Sequence, residues 1–442
     1  MGLPSAPDTQ TELQLPLKDY VIAVRRELHR LAEPGWCEVA SASKVAQTLI
    51  ALGLDVKLGR QVIAADARMG LPQKETLEFF FNRALQNGAD ISIAEQLRDG
   101  YTGVVGFLRT NKPGPKIALR FDLDANQGSE SNADNHFPFR NGFASTSVGI
   151  HHNCGHDGHT AIGLSVARAL TEMRDELTGE VRFIFQPAEE GLRGAKAMVA
   201  AGVLDGVDVF VASHLGVRAL RLGEIIAGYN NILGSIKFDV EFTGVSAHAA
   251  ISPHVGRNAL MAACVATQGL MSIPRHGESD TRINVGLISG GDARNAVPAS
   301  ARISVELRAE TTDALDFLRE SAERICSGAA VMYGVRHNSK RVGESCAASS
   351  DQDLVRIIES AARGVPGVTE IRHDADFKAS DDAAEMMKAV QTNGGRAVYI
   401  GIGTPLKAVH HNPLFDFDER ALLIGVQTLL HIISTVMDGR ER

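Results

Sequence analysis

Little in this sequence suits it to nucleic acid, a membrane or an oxidising compartment. Among 442 residues there are one Trp and five Tyr, too few for the aromatic platforms on which single strands stack. Lys plus Arg total 45 against 53 Asp plus Glu. The resulting net charge of −8 offers no basic face to a phosphate backbone and serves solubility instead. Five cysteines, at 37, 154, 264, 326 and 346, are sparse and odd in number. That disfavours a disulfide framework and suits a reducing compartment, the cytoplasm. No run of 18 consecutive apolar residues occurs, so no membrane-spanning helix is expected. The opening MGLPSAPDTQ has no basic region leading into an apolar one, hence no secretory signal. Ala6 stands where a myristoylation signal wants Ser or Thr. With 44% hydrophobic and 22% charged residues, the chain is globular rather than disordered, and its length suggests two or three domains.

Two strand grammars divide what is there. The first is the near-continuous apolar run, at 116–125, 180–190, 207–215 and 397–403, which suits strands covered on both faces in a mostly parallel sheet. Helical spacing of Val21, Val24, Leu28 and Leu31, and of Val45, Leu49 and Leu52, completes an α/β pattern. The second grammar is strict alternation: Ile236, Phe238, Val240 and Phe242; Ile283, Val285 and Leu287; Ile303, Val305 and Leu307. These predict antiparallel strands with one buried face. Helical patterns over 257–271 and 312–332 and a possible fourth strand at 335–342 give the order β-α-β-β-α-β of a ferredoxin-like unit. The fold class expected is therefore α/β, with a mixed, mostly parallel sheet formed by 1–231 and 344–442. An inserted α+β unit occupies 232–343. Residues 60–100, with Leu77, Phe80, Phe81 and Leu85 at helical spacing, read as a helical excursion from the first domain.

Metal-type ligands crowd the ends of the apolar strands, where open sheets place their sites. The densest group is His151-His152-Asn153-Cys154-Gly155-His156-Asp157-Gly158-His159-Thr160, rich in imidazole and carrying a thiol. Alone it could be a solvated helix start capped by Asp157 or Thr160. The strand at 180–186 runs on into Glu189-Glu190. Two adjacent carboxylates there suit one metal ligand and one proton acceptor, or the acidic first turn of a helix. The next strand ends at His214, and His410-His411 follow the last one. Four successive strand ends with such residues favour a metal site.

The run from Cys154 to Thr160, then Phe185-Gln186-Pro187-Ala188-Glu189-Glu190-Gly191, then His214, resembles the M20 metallopeptidases. Within them the chain is similar to the amidohydrolase branch that cleaves N-acyl amino acids. Arg68-Met69-Gly70-Leu71-Pro72 and Gly142-Phe143-Ala144-Ser145 look like the aminobenzoyl-glutamate hydrolase subgroup. The resemblance implies two divalent cations, manganese rather than zinc, held by Cys154, His156, Glu190, His214 and His411. The resemblance prefers His411 to His410, because His411 stands four residues before Phe415 as the family's last ligand does in His-x-x-x-Phe, and it implies that Cys154 would bridge the ions. Softness of the thiolate and imidazole donors would itself suit zinc. Glu189 would be general base and acid, and Asp124 would orient a ligand. The inserted unit would pair two subunits, as a homodimer or with a B-type partner. His248 would reach the neighbour's metal centre, and Asn295 and Arg308 would hold the substrate's free carboxylate. The implied activity is hydrolysis of an N-acyl amino acid, aminobenzoyl-glutamate foremost. An aminoacylase, N-acetyl-diaminopimelate deacylase or dipeptidase on the same scaffold shares the whole metal site. A non-catalytic binder of small carboxylates is the reading from another class. The chain departs from the branch at Asp124-Ala125-Asn126-Gln127, where most relatives continue Asp-Ala-Leu-Pro, and at 132–136.

Overall fold

The computed structural model describes residues 12–439; the signal and myristoylation expectations at 1–10 lie outside them. Eight strands form the larger sheet: β1 (Asp55–Leu58), β2 (Val104–Arg109), β3 (Lys116–Asp122), β4 (Glu180–Gln186), β5 (Val209–Leu215), β6 (Glu224–Ile226), β11 (Glu370–Arg372) and β12 (Arg396–Ile402). Four more form a second sheet: β7 (Gly234–Thr243), β8 (Thr281–Gly290), β9 (Ser300–Ala309) and β10 (Arg336–Ser345).

The larger sheet has the order β1-β2-β4-β3-β5-β12-β6-β11. Its centre, β4-β3-β5-β12, is parallel, while β1, β2 and β6 pair antiparallel toward the edges. The central strands are the four apolar runs, and they are buried along nearly their whole length. Helices cover both faces, as such strands require. Leu17–Leu31, His156–Glu172 and Arg420–Met437 share one core with Leu119, Phe183 and Val211. Ala195–Ala200 and Ala383–Thr392 pack on the other side with Ile184, Phe210 and Tyr399. The structure agrees with the expected α/β class. The antiparallel edge strands were not visible in the pattern: β1 is only four residues with a half-exposed face.

Arg420–Met437 is long and apolar enough to cross a membrane by composition, yet 56% of that stretch is buried inside the protein. It is packed as a core helix, with Leu422, Val426, Leu429 and Ile433 fully covered.

The second sheet is antiparallel with order β8-β9-β7-β10. Val240, Ile303, Val305 and Leu307 face the helices Ala259–Met271 and Thr312–Tyr333. The alternate residues, among them Lys237, Asp239, Arg302 and Lys340, line a cleft against the larger sheet. Residues 60–100 form the helices Lys74–Gln86 and Ile91–Leu97, which contribute Phe81, Ala84, Ile93 and Leu97 to the first core.

Candidate metal centre and active site

The C-terminal ends of the parallel strands deliver the chemistry. Asp122 ends β3, and Asp124 follows it. β4 stops at Gln186, and the next helix begins only at Ala195. Between them Ala188 and Leu192 take positive φ of 53° and 63°, a left-handed conformation uncommon outside Gly, Asn and Asp. Glu189 and Glu190 are thus presented on a turn, not in a helix's first turn. The Asp124 carboxylate holds that turn, accepting the backbone N–H of Glu189 (3.0 Å) and of Glu190 (2.9 Å). The segment His151–Thr160 is buried apart from the half-buried Cys154, and Gly155 caps its helix at φ 92°. Neither Asp157 nor Thr160 serves as the cap. Asp157 pairs with Arg25 and His29 (2.8 Å each), and the Thr160 hydroxyl donates to the Asp122 carbonyl.

The donor atoms of Cys154, His156 and His214 all lie within 4.8 Å of one another, as do those of Cys154, Glu190 and His411. Cys154 is shared by both groups. A third group joins His156, Glu189 and Glu190. All five expected metal ligands are therefore brought together, with Glu189 beside them.

Hydrogen bonds fix which imidazole nitrogens are available. His156 Nδ1 lies 2.8 Å from the Asp124 carbonyl, which can only accept, so this nitrogen carries a proton. The buried Nε2 has no hydrogen-bond partner and lies 3.8 Å from Glu189. His214 Nδ1 likewise donates to the Leu215 carbonyl (2.9 Å), and its Nε2 lies 3.6 Å from the Cys154 sulfur. His411, at φ 67°, places Nε2 3.3 Å from Glu190. His159, by contrast, spends both nitrogens, one on Asp122 (2.7 Å) and one on the Leu215 N–H (3.0 Å). His410 bonds the Leu215 carbonyl and packs against His214 and Phe415, so it buttresses the site from behind.

An orphaned, buried imidazole nitrogen among a thiol and two carboxylates fits a divalent cation. The electrostatics agree. Burial opposes charge on His156, but Asp122, Asp124 and Cys154 together outweigh it and hold the imidazolium well above its usual range. Surroundings that favour a proton there also favour a metal, which displaces it. Burial, reinforced by Glu190, pushes the Cys154 thiol up to about 12. Burial also lifts Glu189 well above the carboxylate range, with Asp381 and Glu190 adding to it.

Asp381 and Asp382 were not singled out by sequence. They cluster with Glu189 over the fully buried Arg120, which reaches Asp122 (2.7 Å), Asp381 and Asp382 (3.2 Å each). The Tyr399 hydroxyl donates to Asp381 (2.6 Å). Nothing in Ser380-Asp381-Asp382 distinguishes it from a surface loop. Asn126, at the departure from the branch pattern, donates its amide to Glu190 and to Asn153.

His248, Asn295 and Arg308 lie apart from these groups, on the unit carrying the second sheet. The exposed His248 ring accepts the N–H groups of Ala250 and Ile251 (3.2 Å each). His248 itself forms an isolated antiparallel bridge with Ala296, beside the exposed Asn295. Arg308 is engaged by Glu306 at 2.9 and 3.0 Å, so a substrate carboxylate would have to compete with that side chain.

A sheet whose strand ends converge on a thiol, three imidazoles and paired carboxylates defines a metal-dependent hydrolase. Peptidase family M20/M25/M40 matches residues 118–435, and the chain belongs to that family. It is 45% identical over 406 residues to an indole-3-acetyl-aspartic acid hydrolase of Enterobacter agglomerans, spanning 92% of this chain and 93% of that protein. It is 44% identical over 406 residues to one of the subunits of p-aminobenzoyl-glutamate hydrolase from Escherichia coli (strain K12), with the same shares covered. The crystal structure of an aminobenzoyl-glutamate utilization protein from Klebsiella pneumoniae superposes with a TM-score of 0.81 at 38% identity, covering 96% of this chain and 98% of that one. The protein is a metal-dependent amidohydrolase.

Proposed function

We propose that the protein hydrolyses the amide bond of aminobenzoyl-glutamate and closely related N-acyl amino acids. The observation that carries this reading is the Glu189–Glu190 pair, locked by Asp124 beside the open Nε2 of His156. Such a pair divides its work between ligation and proton transfer. Two divalent cations, manganese rather than zinc, would be held by Cys154, His156, Glu190, His214 and His411, and when bound would acidify water and stabilise the oxyanion. Cys154, common to both donor groups, would serve both cations.

Glu189 is the general base and acid. Its high proton affinity, supported by burial and by Asp381, suits a carboxylate that takes a proton from the attacking water and returns it to the leaving nitrogen. Asp124 positions both glutamates through their backbone. Asn295 and Arg308 would hold the α-carboxylate, with Arg308 exchanging Glu306 for substrate, and His248 would support the oxyanion in the site of a neighbouring protomer.

Residues 1–231 and 344–442 are taken as the catalytic domain and 232–343 as an inserted dimerisation unit. The outer strand β8 is a free sheet edge with Leu287 and Ile288 exposed, which supports pairing with a second copy or with a B-type partner. One of the relatives above is named as part of a hydrolase with more than one kind of chain, which supports the latter. All five cysteines are free thiols, in keeping with a cytoplasmic location.

The test is a hydrolysis panel on protein of measured metal content, spanning aminobenzoyl-glutamate, indole-3-acetyl-aspartate, N-acetyl amino acids and dipeptides. Aminobenzoyl-glutamate or indole-3-acetyl-aspartate should lead in kcat/KM. Preference for N-acetyl amino acids or dipeptides would move the assignment to another activity of the family, and no hydrolysis with two metals bound would favour a binding protein.

A further inference from the structure

Arg193 is a cation built into the cleft without an anion to match it. The cleft, of about 960 Å³, is lined by Glu190 and His411 on one side and by the polar face of the second sheet on the other. Arg193 lines it three residues beyond Glu190. Its Nε donates to the Glu190 carbonyl (3.0 Å) and its Nη1 to the Gly70 carbonyl (2.8 Å). Two backbone acceptors thus fix the plane of the guanidinium. Nη2 has no hydrogen-bond partner, and no carboxylate stands within 4.0 Å of the group, among the described residues. The second sheet's cations around the cleft differ. Lys237 is 3.5 Å from Glu306, Arg302 is 2.6 Å from Asp239, and Lys340 is exposed on an unanchored stem.

Three glycines from separate segments make room for this side chain. A Cβ on Gly35 would stand 2.3 Å from Nη2, one on Gly70 2.7 Å from Cδ, and one on Gly191 2.9 Å from Nε. Gly70 belongs to the Arg-Met-Gly-Leu-Pro stretch of the 60–100 excursion. The excursion therefore supplies both a wall of the cleft and a clamp on the guanidinium.

We propose that Arg193 binds the side-chain carboxylate of the substrate's amino-acid half, making the enzyme selective for N-acylated aspartate and glutamate. This rests on the functional reading above, which gives the α-carboxylate to Asn295 and Arg308. Neither an aminobenzoyl nor an indoleacetyl group carries an acid, so the side-chain carboxylate is the anion left without a partner. A planar guanidinium fixed before the substrate arrives meets a carboxylate through its free edge, with little ordering cost on binding.

The experiment compares p-aminobenzoyl-glutamate with its near-isosteric neutral analogue p-aminobenzoyl-glutamine, in the metal-loaded wild type and in Arg193→Met. The wild type should favour the glutamate by at least about tenfold in kcat/KM. Arg193→Met should bring that ratio near unity through KM, while the glutamine analogue changes by less than about threefold, which also reports an intact fold. In parallel, calorimetry on metal-loaded Glu189→Gln should show the glutamate compound binding more tightly than the glutamine one, and Arg193→Met in that background should remove the difference. A ratio unmoved by Arg193→Met, or equal losses on both compounds, would overturn the proposal. Hydrolysis of both compounds alike by the wild type would overturn it and leave the functional reading standing. Hydrolysis of neither would sink the functional reading, and equal binding of the two compounds would then sink the role of Arg193 as well.

Discussion

At the residue scale, two adjacent glutamates occupy one turn but face different demands. Glu190 is held below its ordinary range: burial opposes ionisation, but His411, His156 and the Asn126 amide together overcome it. Glu189 is pushed the other way by burial, Asp381 and Glu190. An acceptor kept ionised suits a ligand, and one with raised proton affinity suits proton transfer. Glu189→Gln should therefore lower kcat by about 10²–10⁴-fold with metal content near normal by elemental analysis, whereas Glu190→Gln should lose metal. The reverse pattern would exchange the two roles.

Cys154 gives a second test at this scale. With no cation bound, burial raises the thiol to about 12, so it is protonated and sluggish at neutral pH. Coordination would hold it deprotonated but occupied. The Cys154 peptide should stay unlabelled by iodoacetamide in metal-loaded protein at any pH. After chelation its labelling should be slow at pH 7 and rise steeply toward pH 10. Identical labelling with and without metal would remove Cys154 from the site. That a metal site lies here was legible because thiol, imidazole and paired acids at successive strand ends are rare; the individual candidate ligands came from the family resemblance. Without that resemblance His156 could not have been told from His159: they differ only in what their nitrogens touch, and no spacing encodes that.

At the scale of elements, the buried apolar runs and the alternating strands announced both sheets, because each pattern follows from how many faces a strand buries. The short edge strands and the turn at 187–194 carry no such period. Nor does any pattern reveal that helix Leu17–Leu31 braces the metal loop. From that helix Arg25 reaches Asp157, Asp416 and Glu419, and His29 bridges Asp157 and Glu130 (2.8 and 2.9 Å). Glu130 also accepts from His136 and from the Ser145 N–H, which is what the unfamiliar 132–136 stretch contributes. Burial disfavours a charged His29, but the bonds to Asp157 and Glu130 outweigh it and raise its pKa to about 9. A folded-state value above the unfolded 6.5 means stabilisation complete below pH 6.5 and lost as pH climbs through 9. The shift corresponds to about 3 kcal/mol. Urea midpoints should fall over pH 6.5–9 in the wild type, and this slope should flatten in His29→Gln. A slope unchanged by the substitution would mean that His29 is neutral in the folded protein.

At the scale of the whole molecule, the second sheet turns one face to its own helices and the other to the cleft, so one chain already encloses much of a substrate site. What it leaves outside is instructive. His248 and Asn295 sit together, exposed, on neighbouring loops at the end of β7 and the turn before β9, while Arg308 stays on the cleft side with Glu306. If the unit pairs two copies as proposed, His248 would complete the neighbour's site and not its own. His248→Ala should then lower kcat with metal content intact. Mixing variant chains gives a sharper measurement. Glu189→Gln chains and His248→Ala chains should each have strongly reduced activity as pure dimers. A mixed dimer holds one site with intact Glu189 and, from the Glu189→Gln partner, intact His248. The opposite site lacks both groups. With random exchange half the dimers are mixed and each has one working site, so activity should recover to about a quarter of the wild-type value. Dimers shown by mass to be mixed, yet without recovered activity, would rule out a His248 acting across a self-paired interface and point to a B-type partner or to a purely structural histidine.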